Sequence, residues 1–151
     1  MIANLFDKVA ADAMIVRIQN LSPDAPRAWG TMTIDQMLEH CSRGIDMATG
    51  ELVIPRVCIG RLLGWIFKKW ILKDQPIWPG KPTAEELVTI SDHFDVETEK
   101  SKLIAKIQQF TNTSPEQVAK SVHPFFWPLS AEQWGVQMWK HLDHHVRQRS
   151  E

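Results

Sequence analysis

Four segments of this chain open with a hydroxyl side chain three residues ahead of Gln or Glu: Thr33-Ile34-Asp35-Gln36, Thr83-Ala84-Glu85-Glu86, Ser114-Pro115-Glu116-Gln117 and Ser130-Ala131-Glu132-Gln133. In such a capping box the hydroxyl accepts from the third helical amide and the Gln or Glu side chain reaches back to the cap amide. Two donors that a helix start leaves unpaired are satisfied together. No Asn-Gly turn stands between alternating apolar runs, so nothing announces a hairpin. At 151 residues with 44% hydrophobic and 23% charged residues, the chain holds enough apolar surface for one core. The reading is an all-α domain over residues 1–151, a four-helix bundle with an elaborated crossover between the second and third long helices.

Local signals set the boundaries. A first amphipathic helix is predicted over residues 2–20, with Leu5, Val9, Ile15 and Ile18 among its apolar positions, broken by Ser22-Pro23-Asp24-Ala25-Pro26. The Thr33 box opens a helix that turns Met37, Cys41 and Ile45 inward and stops near Gly50. Residues 58–73 mix Leu62, Leu63, Trp65, Ile66, Phe67, Trp70 and Ile71 with Arg61, Lys68, Lys69 and Lys73. Pro76, Pro79 and Pro82 forbid a continuous helix beyond them, and the Thr83 box is expected to open a short turn. A further helix over residues 95–111 buries Leu103, Ile104, Ile107 and Phe110. After the Ser114 box comes His123-Pro124-Phe125-Phe126-Trp127-Pro128, and the Ser130 box starts a final helix to about residue 148.

On that final helix Trp134, Met138, His141 and His145 share a stripe of roughly 60°, at about 100° per residue. Histidines on an inward stripe are costly unless both ring nitrogens find partners. Spaced i and i+4, they direct neighbouring nitrogens toward a common point, as a transition-metal site requires. A third ligand must come from another helix, and His40, beside Met37 and Cys41, is best placed by pattern. The competing reading is a pair of surface or core-edge histidines, one of them favouring the negative end of a helix. Leu142 stands where a zincin has Glu, and neither His40 nor His141 follows a Glu by three residues, as di-iron bundles require.

Other residues fall around this constellation. His144, about 80° off the stripe, is expected in solvent or behind a ligand, and Gln148 is placed to orient one. Asp143 could do the same but is expected to face water. Trp134 and Met138 are expected as pocket walls, His123 as structural, His93 as exposed and Cys41 as a small buried hydrophobe.

Lys+Arg 17 against Asp+Glu 18 leaves a net charge of -1, and no helix-turn-helix or zinc-finger pattern is present, so nucleic acid is not an expected partner. No apolar run approaches the roughly 20 residues of a bilayer span, which excludes stable membrane insertion. Met1-Ile2-Ala3-Asn4 lacks the basic start of a secretory signal, and two cysteines make no disulfide framework, so the cytoplasm is expected. Residues 58–73 admit a membrane-surface helix. Apolar residues around much of its circumference favour packing on the bundle or in a homodimer, with the lysines solvated.

Two groups of motifs carry a family resemblance. Trp29-Gly30-Thr31-Met32-Thr33 with Gln36-Met37-Leu38-Glu39-His40 resembles the first signature of the DinB-like superfamily. His123-Pro124-Phe125-Phe126, Glu132-Gln133-Trp134-Gly135 and Lys140-His141-Leu142-Asp143-His144-His145-Val146-Arg147-Gln148 resemble the second, within a bacterial branch classed as a domain of unknown function. The resemblance implies a four-helix bundle holding nickel, zinc or iron through His40, His141 and His145. It implies further a thiol-dependent S-transferase in which the metal activates a low-molecular-weight thiol against a small electrophile. No side chain is assigned as a catalytic base. A hydrolase using metal-bound hydroxide, and a non-catalytic bundle stapled by its metal or with a lapsed site, are the alternatives. Where the branch usually has Phe-Gly after His-Pro-Phe, this chain has Phe126-Trp127, and the indole is expected to narrow a pocket mouth.

Overall fold

The computed structural model describes residues 2–80, 85–88 and 95–150. Among the described residues all regular structure is helical: α1 Lys8–Gln19, α2 Ile34–Thr49, α3 Cys58–Ile71, α4 Val96–Asn112, the single turn α5 Pro115–Val118, and α6 Ala131–Ser150, with a 3-10 turn at Glu85–Leu87. The capping logic operates where it can be followed. Thr33 and Gln36 form a reciprocal box at α2, Ser114 accepts from the Gln117 amide, and Ser130 and Gln133 exchange hydrogen bonds at α6. α2 ends on Gly50, whose φ of 84° closes the helix in the left-handed conformation. Thr83, Ala84 and His93 lie outside the described residues.

α2 packs against α4 and α6, and α1 packs against the same two helices. Their shared core holds Met14 and Ile18 from α1, Met37, Leu38 and Ile45 from α2, Leu103, Ile107 and Phe110 from α4, and Trp134, Met138 and Leu142 from α6, all fully buried. Burying each such side chain contributes about 1.5–3 kcal/mol relative to exposing it. Ion pairs mark the edges: Lys102–Glu39 at 3.0 Å joins α4 to α2, and Arg17–Asp143 at 2.8 Å joins α1 to α6. Asp143, also paired with Arg147, is therefore tied into the helix packing instead of facing water.

Two elements differ from expectation. The first helix begins at Lys8, because the Asp7 carboxylate accepts from the Val9 and Ala10 amides and caps it there. Residues before it dock on α6, with the Leu5 amide donating to the Gly135 carbonyl at 3.0 Å, and Val9 points into solvent. The second difference is α3, a fifth helix of substantial length set within the crossover. Its inward face is Gly60, Gly64 and Ile71, with Phe67 and Trp70 also packed against the core, while Ile59, Leu62, Leu63, Trp65 and Ile66 are turned outward. Glycine decides this roll. A Cβ on Gly60 would lie 2.8 Å from the Phe125 Cα, and one on Gly64 would lie 2.7 Å from Cδ1 of Trp127. The backbone of the His-Pro-Phe-Phe-Trp segment therefore seats directly on α3. Lys140 of α6 locks the far end by donating its buried ammonium to the carbonyls of Ile71 and Lys73, the latter at 2.8 Å, where a helix C-terminus favours a cation.

Candidate metal centre

His141 and His145 sit one turn apart on α6, and the packing of α2 against α6 brings His40 between them. His40 and His145 are buried. The three ring centroids are 4.7–4.9 Å apart in every pairing. One nitrogen from each ring lies within 4.8 Å of the other two, and Nε2 of His40 is 3.0 Å from Nε2 of His141.

Backbone and amide groups fix which nitrogen of two rings carries the proton. His40 donates its Nδ1–H to the Leu87 carbonyl at 2.8 Å, leaving Nε2 a bare lone pair. Gln148 donates its amide N–H to the Trp29 carbonyl at 2.5 Å, so its oxygen is the group that accepts from His145 Nδ1 at 3.1 Å. Nε2 of His145 is thereby also a free lone pair. This is the outer support that metal-binding histidines usually have. His141 differs, for its Nδ1 is buried and has no hydrogen-bond partner among the described residues.

Burial sets the charge of the cluster. It lowers His141 well below the ordinary histidine value, with the neighbouring imidazoles adding to the effect, and lowers His145 to about 3. His40 is lowered by burial too, against the opposing pull of the Leu87 carbonyl. Near neutral pH all three are uncharged imidazoles, the form that ligates a cation. Two nitrogens each about 2.1 Å from one ion stand about 3.0 Å apart at a right angle and about 3.4 Å apart at the tetrahedral angle. The His40–His141 spacing fits that range. Without an ion, the His40 lone pair requires a proton on His141 Nε2, and the buried Nδ1 of His141 is then an acceptor with nothing to accept. With a cation present, His141 would instead carry its proton on Nδ1 and turn the Nε2 lone pair to the ion. Three neutral imidazoles this close together are a donor set that could hold a divalent metal.

Residues 6–151 match the family described as Protein of unknown function (DUF1569). The chain belongs to that family. Both α2 and α6, with His40, His141 and His145 of this chain, lie inside the matched span. No curated protein and no solved structure matches the chain.

The remaining residues of this DUF1569 chain that the sequence singled out divide by position. His144 is half-buried, donating Nδ1–H to the Ile77 carbonyl at 3.0 Å with its ring 4.9 Å from that of His145. It faces the segment that follows α3. Gln148 touches His145 directly. Trp134 and Met138 are fully buried in the core, Trp134 with its ring 5.5 Å from His123. His123 is buried and stacked on Phe126 at 4.0 Å, with Nδ1 accepting from the Phe125 amide at 3.1 Å. Cys41 is buried against Met37, and burial pushes its thiol far up. The Trp127 indole packs on Gly64 and donates to the Arg61 carbonyl at 3.2 Å, so it fastens α3. A cavity of about 670 Å³ bordered by Arg17, Leu21, Val146 and Arg149 runs along the end of α6 that carries His145.

Three positioning groups escaped the sequence reading. Leu87 offers only a backbone carbonyl, and no side-chain pattern announces that. Arg43, one turn after His40, holds the 3-10 turn by donating Nε to the Glu86 carbonyl at 2.9 Å. Gly44 leaves room for the His141 ring, since a Cβ there would lie 3.0 Å from its Cε1 and 3.2 Å from its Nδ1. A glycine inside a strongly capped helix was the one available signal, because it weakens the helix it sits in.

Proposed function

We propose that this chain is a divalent-metal enzyme whose ion is held by His40, His141 and His145, on a DinB-like four-helix bundle of α1, α2, α4 and α6. The observation that carries the reading is the convergence of three uncharged imidazoles, two with their tautomers fixed by Leu87 and Gln148. Three protein ligands favour catalysis over a staple, because structural sites are usually closed by four.

The reaction class follows from the resemblance to thiol-dependent S-transferases. When bound, nickel, zinc or iron supplies Lewis acidity that lowers the pKa of a small thiol and holds its thiolate. The chain's own part is to present the imidazoles, keep them unprotonated by burial, and orient His145 through Gln148 and Trp29. In the net transfer the thiol sulfur would bond to an electrophilic carbon, the leaving group would depart with the bonding pair, and the thiol proton would pass to solvent.

The test begins with protein purified without affinity nickel. Elemental analysis should find about one divalent ion per chain, lost in His145→Ala. Thiol-dependent conversion of an activated aryl halide should fall with it. Wild-type protein without stoichiometric metal refutes the site. Metal-loaded protein that never consumes thiol refutes the transferase reading and leaves a hydrolase or a staple.

A further inference from the structure

We propose that α3 is a membrane-surface helix that binds the face of an anionic bilayer. Its roll is fixed from within. Gly60 and Gly64 seat the backbone of residues 124–127, and Lys140 ties down the carbonyls at its C-terminal end. What this leaves outward is apolar: Leu62 is 74% exposed, Trp65 and Ile66 43% each, with Ile59 and Leu63 beside them. Exposed apolar area of this extent on one rigid element marks an interaction surface.

Charge selects the occupant. Between Glu51 and Asp74 the chain has Arg56, Arg61, Lys68, Lys69 and Lys73 and no acidic residue, so the rest of the molecule is net acidic. Arg61, Lys69 and Lys73 are exposed, and the Lys69 ammonium lies 5.1 Å over the Trp65 ring. Apolar side chains, an interfacial indole and basic groups on one helix suit the boundary of an acidic lipid layer, where both surfaces contribute to binding. A second copy is a poor fit. In a two-fold pair of α3 helices the basic groups find no acidic partner on α3 itself, whose residues 58–71 include no Asp or Glu. No helix among the described residues is long and apolar enough to cross a membrane, so α3 lies in the interface plane. Because its apolar face is already presented, binding needs no unfolding.

The test is co-sedimentation of the full chain with vesicles of phosphatidylcholine alone and of phosphatidylcholine mixed with phosphatidylglycerol. Binding is expected to the mixed vesicles, weakened by raised salt, and absent with phosphatidylcholine alone. Arg61→Gln with Lys69→Gln should weaken partition on the order of twentyfold, about fivefold per charge. Leu62→Asp with Ile66→Asp should abolish it, with circular dichroism unchanged because all four side chains are exposed. Equal binding to both vesicle types, or none to the anionic ones, overturns the proposal. So does a dimer in light scattering at two concentrations that Leu62→Asp dissociates, since that assigns the surface to a second copy.

Discussion

The missing side chain at position 44 leaves the space that the His141 imidazole occupies, and the same holds at position 30 for the group behind His145. Gly30 has a φ of 78°, and a Cβ there would collide with the Gln148 amide. Two glycines thus hold open the geometry of two histidines, one directly and one through Gln148. Gly44→Ala should separate site from scaffold. Alanine adds up to about 1 kcal/mol of helix propensity, yet its methyl presses on the ring from one side. Metal affinity measured by competition titration should drop by roughly tenfold, the low end for groups that orient ligands, while the metal-free protein stays folded. Unchanged affinity would mean that the ring yields without cost. Gln148 and the histidine pair stand in one short stretch of sequence; Gly30 and Gly44 lie far from it, so which histidine each glycine serves emerges only from packing.

At the scale of elements, α2 contributes one ligand and opens on a reciprocal capping box. Thr33→Ala removes a hydroxyl that accepts from the Gln36 amide and leaves the returning Gln36 bond without its reciprocal partner. The loss should be about 1 kcal/mol of stability, or about 2–4 °C in Tm for a chain of this size, read by calorimetry. His40 sits two turns further on, so metal affinity should stay within about twofold if only the first turn frays. A large loss of affinity would show that α2 acts as one rigid unit from its cap. α3 gives the converse lesson. The apolar run predicts a packing surface, and Phe67, Trp70 and Ile71 do pack on the core. Gly60 and Gly64 let another backbone come close, and the roll that results leaves Leu62, Trp65 and Ile66 outward.

The whole molecule holds several neutral histidines away from water, and that makes its stability depend on pH. His123 is lowered by burial to about 3, from an ordinary value near 6.5. The unfolded chain binds a proton at this position below pH 6.5 and the folded chain does not until about pH 3. Its contribution is therefore present in full above pH 6.5 and is lost as pH falls toward 3, at up to about 1.4 kcal/mol per unit. His123→Asn keeps an acceptor for the Phe125 amide and should make the fall of urea-unfolding stability across that window shallower by up to about 1.4 kcal/mol per pH unit, the other buried histidines keeping the rest of the slope, even if it lowers the plateau. A slope equal to wild type would mean that His123 gains its proton while folded.

The helices themselves are written locally. Thr33, Ser114 and Ser130 each find their helix start within three residues, and the stripe of Trp134, Met138, His141 and His145 is a property of one helix alone. Capping and periodicity need nothing beyond neighbours in the chain, so the sequence by itself determined an all-helical protein with a paired-histidine face. Only the tertiary structure decided that α2 lies against α6 so that His40 completes the cluster. It alone decided that a carbonyl at Leu87 sets the His40 tautomer, and that α3 turns Leu62, Trp65 and Ile66 outward. Those outcomes depend on contacts between segments tens of residues apart, and on backbone groups that every residue shares and no residue type advertises.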